Sequence, residues 1–485
     1  MTSRTSLPDQ KPSVPFLAGG VGAAGHAAGY AVPLALMLGA AATLIFARPT
    51  MPMDDAYITL HNARALLAGG WDASYGTSAL TGATSAVHLL LIALLGLAMP
   101  LVVASHCVTL LAFGAYLAGL QRMALQAGAN PALILILGSL FGYLPFQLLN
   151  GLETGLAMAA VAWALALANH RHLPILLGLL PFVRPELVVL SALMMARRGW
   201  MQRAAPIFVL REIAVAALAA APFLLLYWVL TGSPSPNTGS AKVAFFAEQR
   251  LAFGHKAFLG VDALTESLLF PLLIGVLGYR RAPAGGVAAL FLIIWLLVAI
   301  TKLPSGLYHN HARYLSLMVP ALLYGLCYLL PITTLRRPLA ITLLGCVLLS
   351  APHGLRAAFT GGQPPQFLAL AQGVVPKIPQ GARVLLHDAG YLPWLRPDLH
   401  LTDAVGLKTA SSATVHARLT ALSGQRGAAL DQIARQSGAD YLVVLSADSF
   451  WSTIGTGLSA GGWVLDPVSV SSAGYSLYRL APPAG

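Results

Sequence analysis

The chain has 485 residues, 57% hydrophobic and only 9% charged, with a mean hydropathy of +0.72 and a formal net charge of +12. A soluble domain carries about 25% charged residues, so a water-soluble enzyme is excluded, and the wealth of apolar residues excludes disorder and fibrous repeats. What remains is a polytopic α-helical membrane protein, whose excess cations belong to loops facing anionic headgroups of the lipid bilayer; no nucleic-acid partner is implied.

A spanning helix needs roughly 20 apolar residues. Residues 1–30 read as a cytoplasmic tail carrying Arg4 and Lys11, and 31–47 as an uncleaved first span. Further apolar runs cover 101–120, 131–149, 152–168, 173–183, 187–196, 213–230, 261–278, 285–301, 314–331 and 338–351, which makes about 11 transmembrane helices in a domain spanning 31–352. Cys107, Cys327 and Cys346 lie inside apolar runs, so neither a disulfide framework nor a CxxC metal site is expected.

The run 85–100 is ambiguous, and loop charge decides it. Cations cluster at Arg122, at His170-Arg171-His172, from Arg197 to Arg211, at Arg280-Arg281 and at Arg336-Arg337. All five clusters fall on one side only if 85–100 does not cross, so it is expected as an interfacial helix on the outer face. The N-terminus is then inside and the C-terminus outside, and the outer segments are 49–84, 231–256 and everything beyond 352. On this map only Asp9 and Glu212 among the seventeen acidic residues face the cytoplasm, which puts acid–base chemistry outside.

The outer loop 49–84 carries the most informative stretch, beginning Met53-Asp54-Asp55-Ala56-Tyr57 and ending at Gly69-Gly70. At about 100° per residue a helix here aligns Asp54, Tyr57, His61 and Arg64 on one face, and Ala56, Leu60, Ala63 and Leu67 on the other. Such a helix suits the membrane surface. Neighbouring helical side chains diverge, so one aspartate can face a substrate while the other holds the helix start.

From 353 to 485 the apolar runs shorten to strand length at 383–386, 441–445, 463–465 and 475–478, with amphipathic helices at 412–423 and 428–436 between them. That alternation predicts an extracytoplasmic α/β domain. It holds neither GxGxxG nor GxxxxGK[ST], so no nucleotide site is indicated.

The first-loop motif Asp54-Asp55-Ala56-Tyr57-Ile58-Thr59 resembles that of the GT-C membrane glycosyltransferases, and most closely the branch of the actinobacterial terminal β-(1→2)-arabinofuranosyltransferase. Asn150-Gly151-Leu152-Glu153-Thr154, Arg184-Pro185-Glu186, Pro236-Asn237-Thr238 with Lys242, Ala312-Arg313-Tyr314, Asp388-Ala389-Gly390 and Asp403 to Leu407 follow in the order of that family. His61-Asn62 stand where relatives often carry Arg-Tyr, and Gly239-Ser240 interrupt a usually bulkier stretch.

The resemblance implies a polyprenyl-phosphate sugar donor, a glycan or lipid acceptor of the cell envelope, and inverting transfer at the outer face of the bacterial inner membrane. One carboxylate would deprotonate the acceptor hydroxyl and cations would neutralise the leaving phosphate. Asp54 or Asp55 supplies the base, with Asp54 favoured because it shares the polar face. Lys242, Lys302, Arg184, Arg313, His309 and His311 are candidates for the phosphate, and Tyr57, His61, Arg64, Glu186 and Asn237 for substrate contacts.

Each has a plainer reading. Lys242 and Lys302 also suit lysines snorkelling from span ends, Arg313 a headgroup anchor, and Arg184-Pro185-Glu186 a turn. Asp388 and Asp403 suit caps of strand-to-helix turns. Glu153 at a span entrance is costly in lipid unless functional or paired, with Arg184 as the natural partner. His309 and His311, two residues apart on a loop, are weak metal ligands, and a divalent cation is the one cofactor left open. The alternative function is a lipid or oligosaccharide transporter or flippase, which would show repeated halves and midplane charges; a receptor would not require the two aspartates.

Overall fold

The computed structural model describes residues 23–47, 50–203, 205–332, 334, 336–359, 364–472 and 474–483. Most of the expected cytoplasmic tail, including Arg4, Asp9 and Lys11, lies outside them. Among the described residues five helices are long and apolar enough to cross a membrane: Leu101–Ala127, Pro206–Thr231, Gly285–Lys302, Ser305–Leu329 and Arg336–Phe359. Ala31–Phe46, Pro131–Leu140, Thr154–Ala166 and Leu173–Val183 are shorter apolar helices.

Two expected runs are not straight. The 261–278 run is a pair, Phe253–Glu266 and Phe270–Arg280, bent by 100°. Leu268 sits between them at φ 60, and Pro271 lies in the first turn of the second segment, where a missing N–H costs nothing. The 131–149 run likewise breaks into Pro131–Leu140 and Leu144–Leu149 around Gly142 at φ 53. The 85–100 run folds as Ala86–Gly96, whose eleven residues reach only about 16 Å, half a hydrocarbon core.

Local chemistry sets the helix ends. Gly128 closes Leu101–Ala127 in the left-handed conformation, and Asn130 then accepts the backbone N–H groups of Ala132 and Leu133 to start the next helix. Small residues let the helices touch: a Cβ on Gly178 would strike the Ala216 carbonyl, and one on Gly275 the Leu322 carbonyl. Pro206–Thr231 instead exposes Leu210, Ile213, Leu218 and Leu225, as a lipid-facing helix does. At one end Arg197 reaches Ala168, Asn169 and Pro283, while Arg198 pairs with Glu212, so three of the cationic loops do meet.

The terminal domain is a five-stranded sheet flanked by helices. Its strands are β3 (Arg383–Leu386), β4 (His400–Asp403), β5 (Tyr441–Leu445), β6 (Val464–Ser469) and β7 (Tyr475–Ala481), following a short ribbon of β1 (Trp71–Asp72) and β2 (Thr77–Ser78) in the first loop. The order is β4-β3-β5-β7-β6, with β3 parallel to β4 and β5, and β7 antiparallel to β5 and β6. β4, too polar to be anticipated, completes one edge. The expected boundary at 353 is corrected: the last long helix accommodates Pro352 and runs to Phe359.

Candidate active site

The first-loop helix, Asp54–Leu67, forms where expected but does not lie free on a membrane surface. Leu60 and Ala63 are buried on one side, and the polar face is covered by the terminal domain. Arg64 donates to the carbonyls of Pro393 (2.7 Å) and Trp394 (3.0 Å) and lies over the Trp394 ring. Tyr57 packs against Phe367, Tyr391 and Trp394, and its hydroxyl accepts from Met51 N–H. His61 accepts from Arg64 at Nδ1 (2.9 Å) and therefore, as a neutral ring, turns its Nε2–H to Asp72 at 2.9 Å. The expectation that Tyr57, His61 and Arg64 face a substrate is thus corrected: they build a seam between domains.

That seam holds a buried charge network. Lys408 and Asp72, 0% and 1% exposed, pair at 2.7 Å, and Lys408 also donates to Asn62. Asn237 joins it as a structural clamp, not a substrate contact: it accepts from Gly82 N–H and donates to the carbonyls of Gly406 and Leu407. Pairing across more than 300 residues leaves no local signal, which is why Asp72 and Lys408 escape sequence reasoning.

Both aspartates border a cavity of about 700 Å³ between the transmembrane domain and the terminal domain. Asp54 accepts the backbone N–H groups of Gly390 (2.9 Å) and Tyr391 (2.7 Å), and a Cβ on Gly390 would collide with the Asp54 carbonyl. Burial first, and the nearby Asp388 and Asp55 charges next, raise the Asp54 carboxyl well above the usual range, against the pull of the two N–H donors. Asp55 is its opposite. Burial would raise it too, but Lys242, His309 and Arg313 outweigh that and hold it well below the usual range. Arg313 Nη1 lies 3.1 Å from Asp55 Oδ2 and His309 Nε2 3.6 Å from the same oxygen. Neither aspartate caps its own helix: the N-cap is Met53, with no side-chain capping bond.

Arg313 is 3% exposed and faces Asp55, so it organises the site instead of anchoring to headgroups. Arg184 is also buried, between Glu186 (2.8 Å) and the expected partner Glu153 (3.0 Å), and this corrects its role as a free phosphate ligand. Lys242 donates to the Tyr314 hydroxyl at 3.4 Å, and among the described residues no carboxylate ion-pairs with it. It borders the main cavity and a second one of about 280 Å³, whose wall includes Trp295, Val298, Ala299, Glu186 and Lys302.

His309 faces the main cavity, whereas His311 stacks on Tyr143 with ring centroids 4.5 Å apart. The two do not converge, and among the described residues no group of three or more His, Cys, Asp or Glu side chains is placed to hold a metal. Asp403 behaves as the expected cap, accepting from the N–H groups of Val405 and Lys408. Asp388 does not: it borders the cavity, bonded to Tyr475 and 3.1 Å from His387.

Residues 360–478 match the family model of a domain of unknown function, DUF8728. No curated protein matches the chain. Among solved structures, ArnT from Cupriavidus metallidurans bound to undecaprenyl phosphate is similar over 94% of this chain and 98% of its own, at 12% identity and a TM-score of 0.54. The apo state of the same protein aligns over 93% and 97% of the two chains, at 14% identity and a TM-score of 0.51. The mycobacterial arabinofuranosyltransferase AftD, of whose length 41% is covered against 95% of this chain, gives 18% identity and a TM-score of 0.45. The ArnT likeness shows the fold alone: an ArnT-like, mostly helical architecture with several apolar helices and a sheet-containing terminal domain.

Proposed function

We propose that the chain is an inverting glycosyltransferase that moves a sugar from a polyprenyl-phosphate donor to a glycan or lipid acceptor of the cell envelope, at the outer face of the bacterial inner membrane. One observation carries this reading: two adjacent aspartates in one cavity are set to opposite tasks. The ArnT structure with undecaprenyl phosphate lends support, because its fold is shared along nearly the whole chain.

Asp54 is the general base. Its raised proton affinity suits it to take the acceptor's hydroxyl proton as that oxygen attacks the anomeric carbon from the face opposite the phosphate. The carbon–phosphate oxygen bond breaks, and the pair of electrons leaves with the phosphate. Asp55 stays ionised and holds Arg313 and His309, while Lys242, bonded to the Tyr314 hydroxyl and near Asp55, offers the leaving group a cation. The smaller cavity, mostly apolar and with Lys302 on its wall, suits the first isoprene units of the carrier.

The test is mass spectrometry of envelope glycans from cells with and without the gene, complemented by wild type or Asp54→Asn. Loss of a terminal sugar restored by wild type alone is expected. Unchanged glycans on deletion, or full restoration by Asp54→Asn, would remove this reading and put the transporter ahead.

A further inference from the structure

The wall of the main cavity is uneven in charge. Among the described residues Asp54, Asp55, Glu248, Asp388 and Asp448 border it, against one lysine, two histidines and no arginine. Lys242 and His309 gather beside Asp55; Asp388 enters from the terminal domain on the loop after β3 and is held by its own domain. The Tyr475 hydroxyl donates to Asp388 Oδ2, and His387 Nδ1 lies 3.1 Å from Oδ1. His387 Nε2 accepts the Leu445 N–H at 3.0 Å, so the neutral ring carries its proton on Nδ1, on the side of Asp388. The ring is fixed in turn by stacking on Trp451, centroids 4.3 Å apart. Asp388 nevertheless remains 27% exposed, with lone pairs facing the cavity.

A carboxylate held by the Tyr475 hydroxyl, with the His387 imidazole beside it and one side open, is built to accept a hydrogen bond from something that enters. It also has no backbone turn to cap, unlike Asp403. We propose that Asp388 is an acceptor-binding residue, taking a hydrogen bond from a hydroxyl of the incoming acceptor, and that the acceptor's reacting end is an uncharged, hydroxyl-rich sugar. The class follows from the charge: a uronate or phosphorylated sugar would bring an anion against Asp388, Asp448 and Glu248, in a cavity whose one lysine, Lys242, lies beside Asp55 at the other end. This rests on the glycosyltransferase reading for the word acceptor, though not for the site itself.

The experiment uses the full chain in lipid nanodiscs and calorimetric titration with two probe sets: n-octyl disaccharides of neutral pentoses and hexoses, and the matching n-octyl uronides. Wild type is expected to bind at least one neutral probe and its uronide at least about tenfold more weakly. Asp388→Asn should lose about tenfold for the neutral probe, the scale of a charge-assisted hydrogen bond, and should narrow the uronide gap. Tyr475→Phe, which frees the carboxylate without removing it, should weaken the neutral probe in the same direction and covers the case in which Asp388→Asn does not fold. Binding of polyprenyl phosphate is measured in parallel and should be unchanged in both variants. Equal binding of neutral and uronide probes, no binding of any neutral probe, or wild-type affinity in a folded Asp388→Asn overturns the proposal. Absence of polyprenyl-phosphate binding in wild type counts against the glycosyltransferase reading alone.

Discussion

Replacing Asp72 by Asn tests whether the buried network holds the terminal domain against the first loop. Asp72 is 1% exposed, and although burial opposes its ionisation, His61 and Lys408 bring its pKa to about 2. Against an ordinary value of 3.8 that gap corresponds to roughly 2.5 kcal/mol, at about 1.36 kcal/mol per pH unit. A lowered aspartate stabilises above its unfolded pKa, so this contribution is complete above about pH 4 and disappears as pH falls through about 2. The same burial works against the Lys408 ammonium, lowering its proton affinity, so the pair as a whole contributes less than the Asp72 side. The larger effect is the charge left behind: removing one member of a buried pair costs roughly 3–5 kcal/mol. At pH 7, protease cleavage of the loop 68–84 in Asp72→Asn should therefore rise by about two to four orders of magnitude, since cleavage follows the open population. Adding Lys408→Met removes the stranded ammonium and should recover most of the loss. Cleavage within threefold of wild type in Asp72→Asn, or no recovery in the double variant, would refute the reasoning.

In a transfer assay using native membranes as the source of both substrates, Asp54→Asn should cost about 10²–10⁴ in rate, the usual scale for a lost general base. The acid limb of its wild-type pH–rate profile should lie above the ordinary aspartate range, because Asp54 must be ionised to act and its proton affinity is raised; Asp388→Asn should shift that limb to lower pH. Lys242→Ala should raise the requirement for lipid donor about tenfold to a hundredfold, whereas Arg184→Ala should reduce folded protein in the membrane, measured by detergent-resistant yield. A periplasm-dependent reporter fused after Leu480 should be active, as the one-sided loop cations require.

Period and composition make the helical core readable, because each span is a local run of apolar residues. The bend at Leu268 is marked in sequence only by the short polar stretch Thr265-Glu266-Ser267 and by Pro271, which a nearly apolar run of this length overrides. The first-loop helix is predicted in extent but misread in orientation: facial periodicity shows that Asp54, Tyr57, His61 and Arg64 share a side, not what covers that side. Order along the chain brings Lys242, His309 and Arg313 towards Asp55, while Arg184 turns out to be fully engaged by Glu153 and Glu186. Asp388 and Asp403 have similar local settings, and only the fold separates the one bordering a cavity from the one closing a turn. His387 and Tyr475 act through Asp388, and no local pattern announces them.

The two backbone donors to Asp54 come from residues 336 and 337 positions further along the chain. At ribosomal rates of about 5–20 residues per second, roughly 20–70 s separate synthesis of the aspartate from synthesis of its partners. During that interval the early spans can be inserted while the first loop has no terminal domain to close over it. On the proposed mechanism, a nascent or truncated chain would hold the cations Lys242 and Arg313 before Asp54 is seated, and transfer would wait until the last domain has folded back onto the first loop.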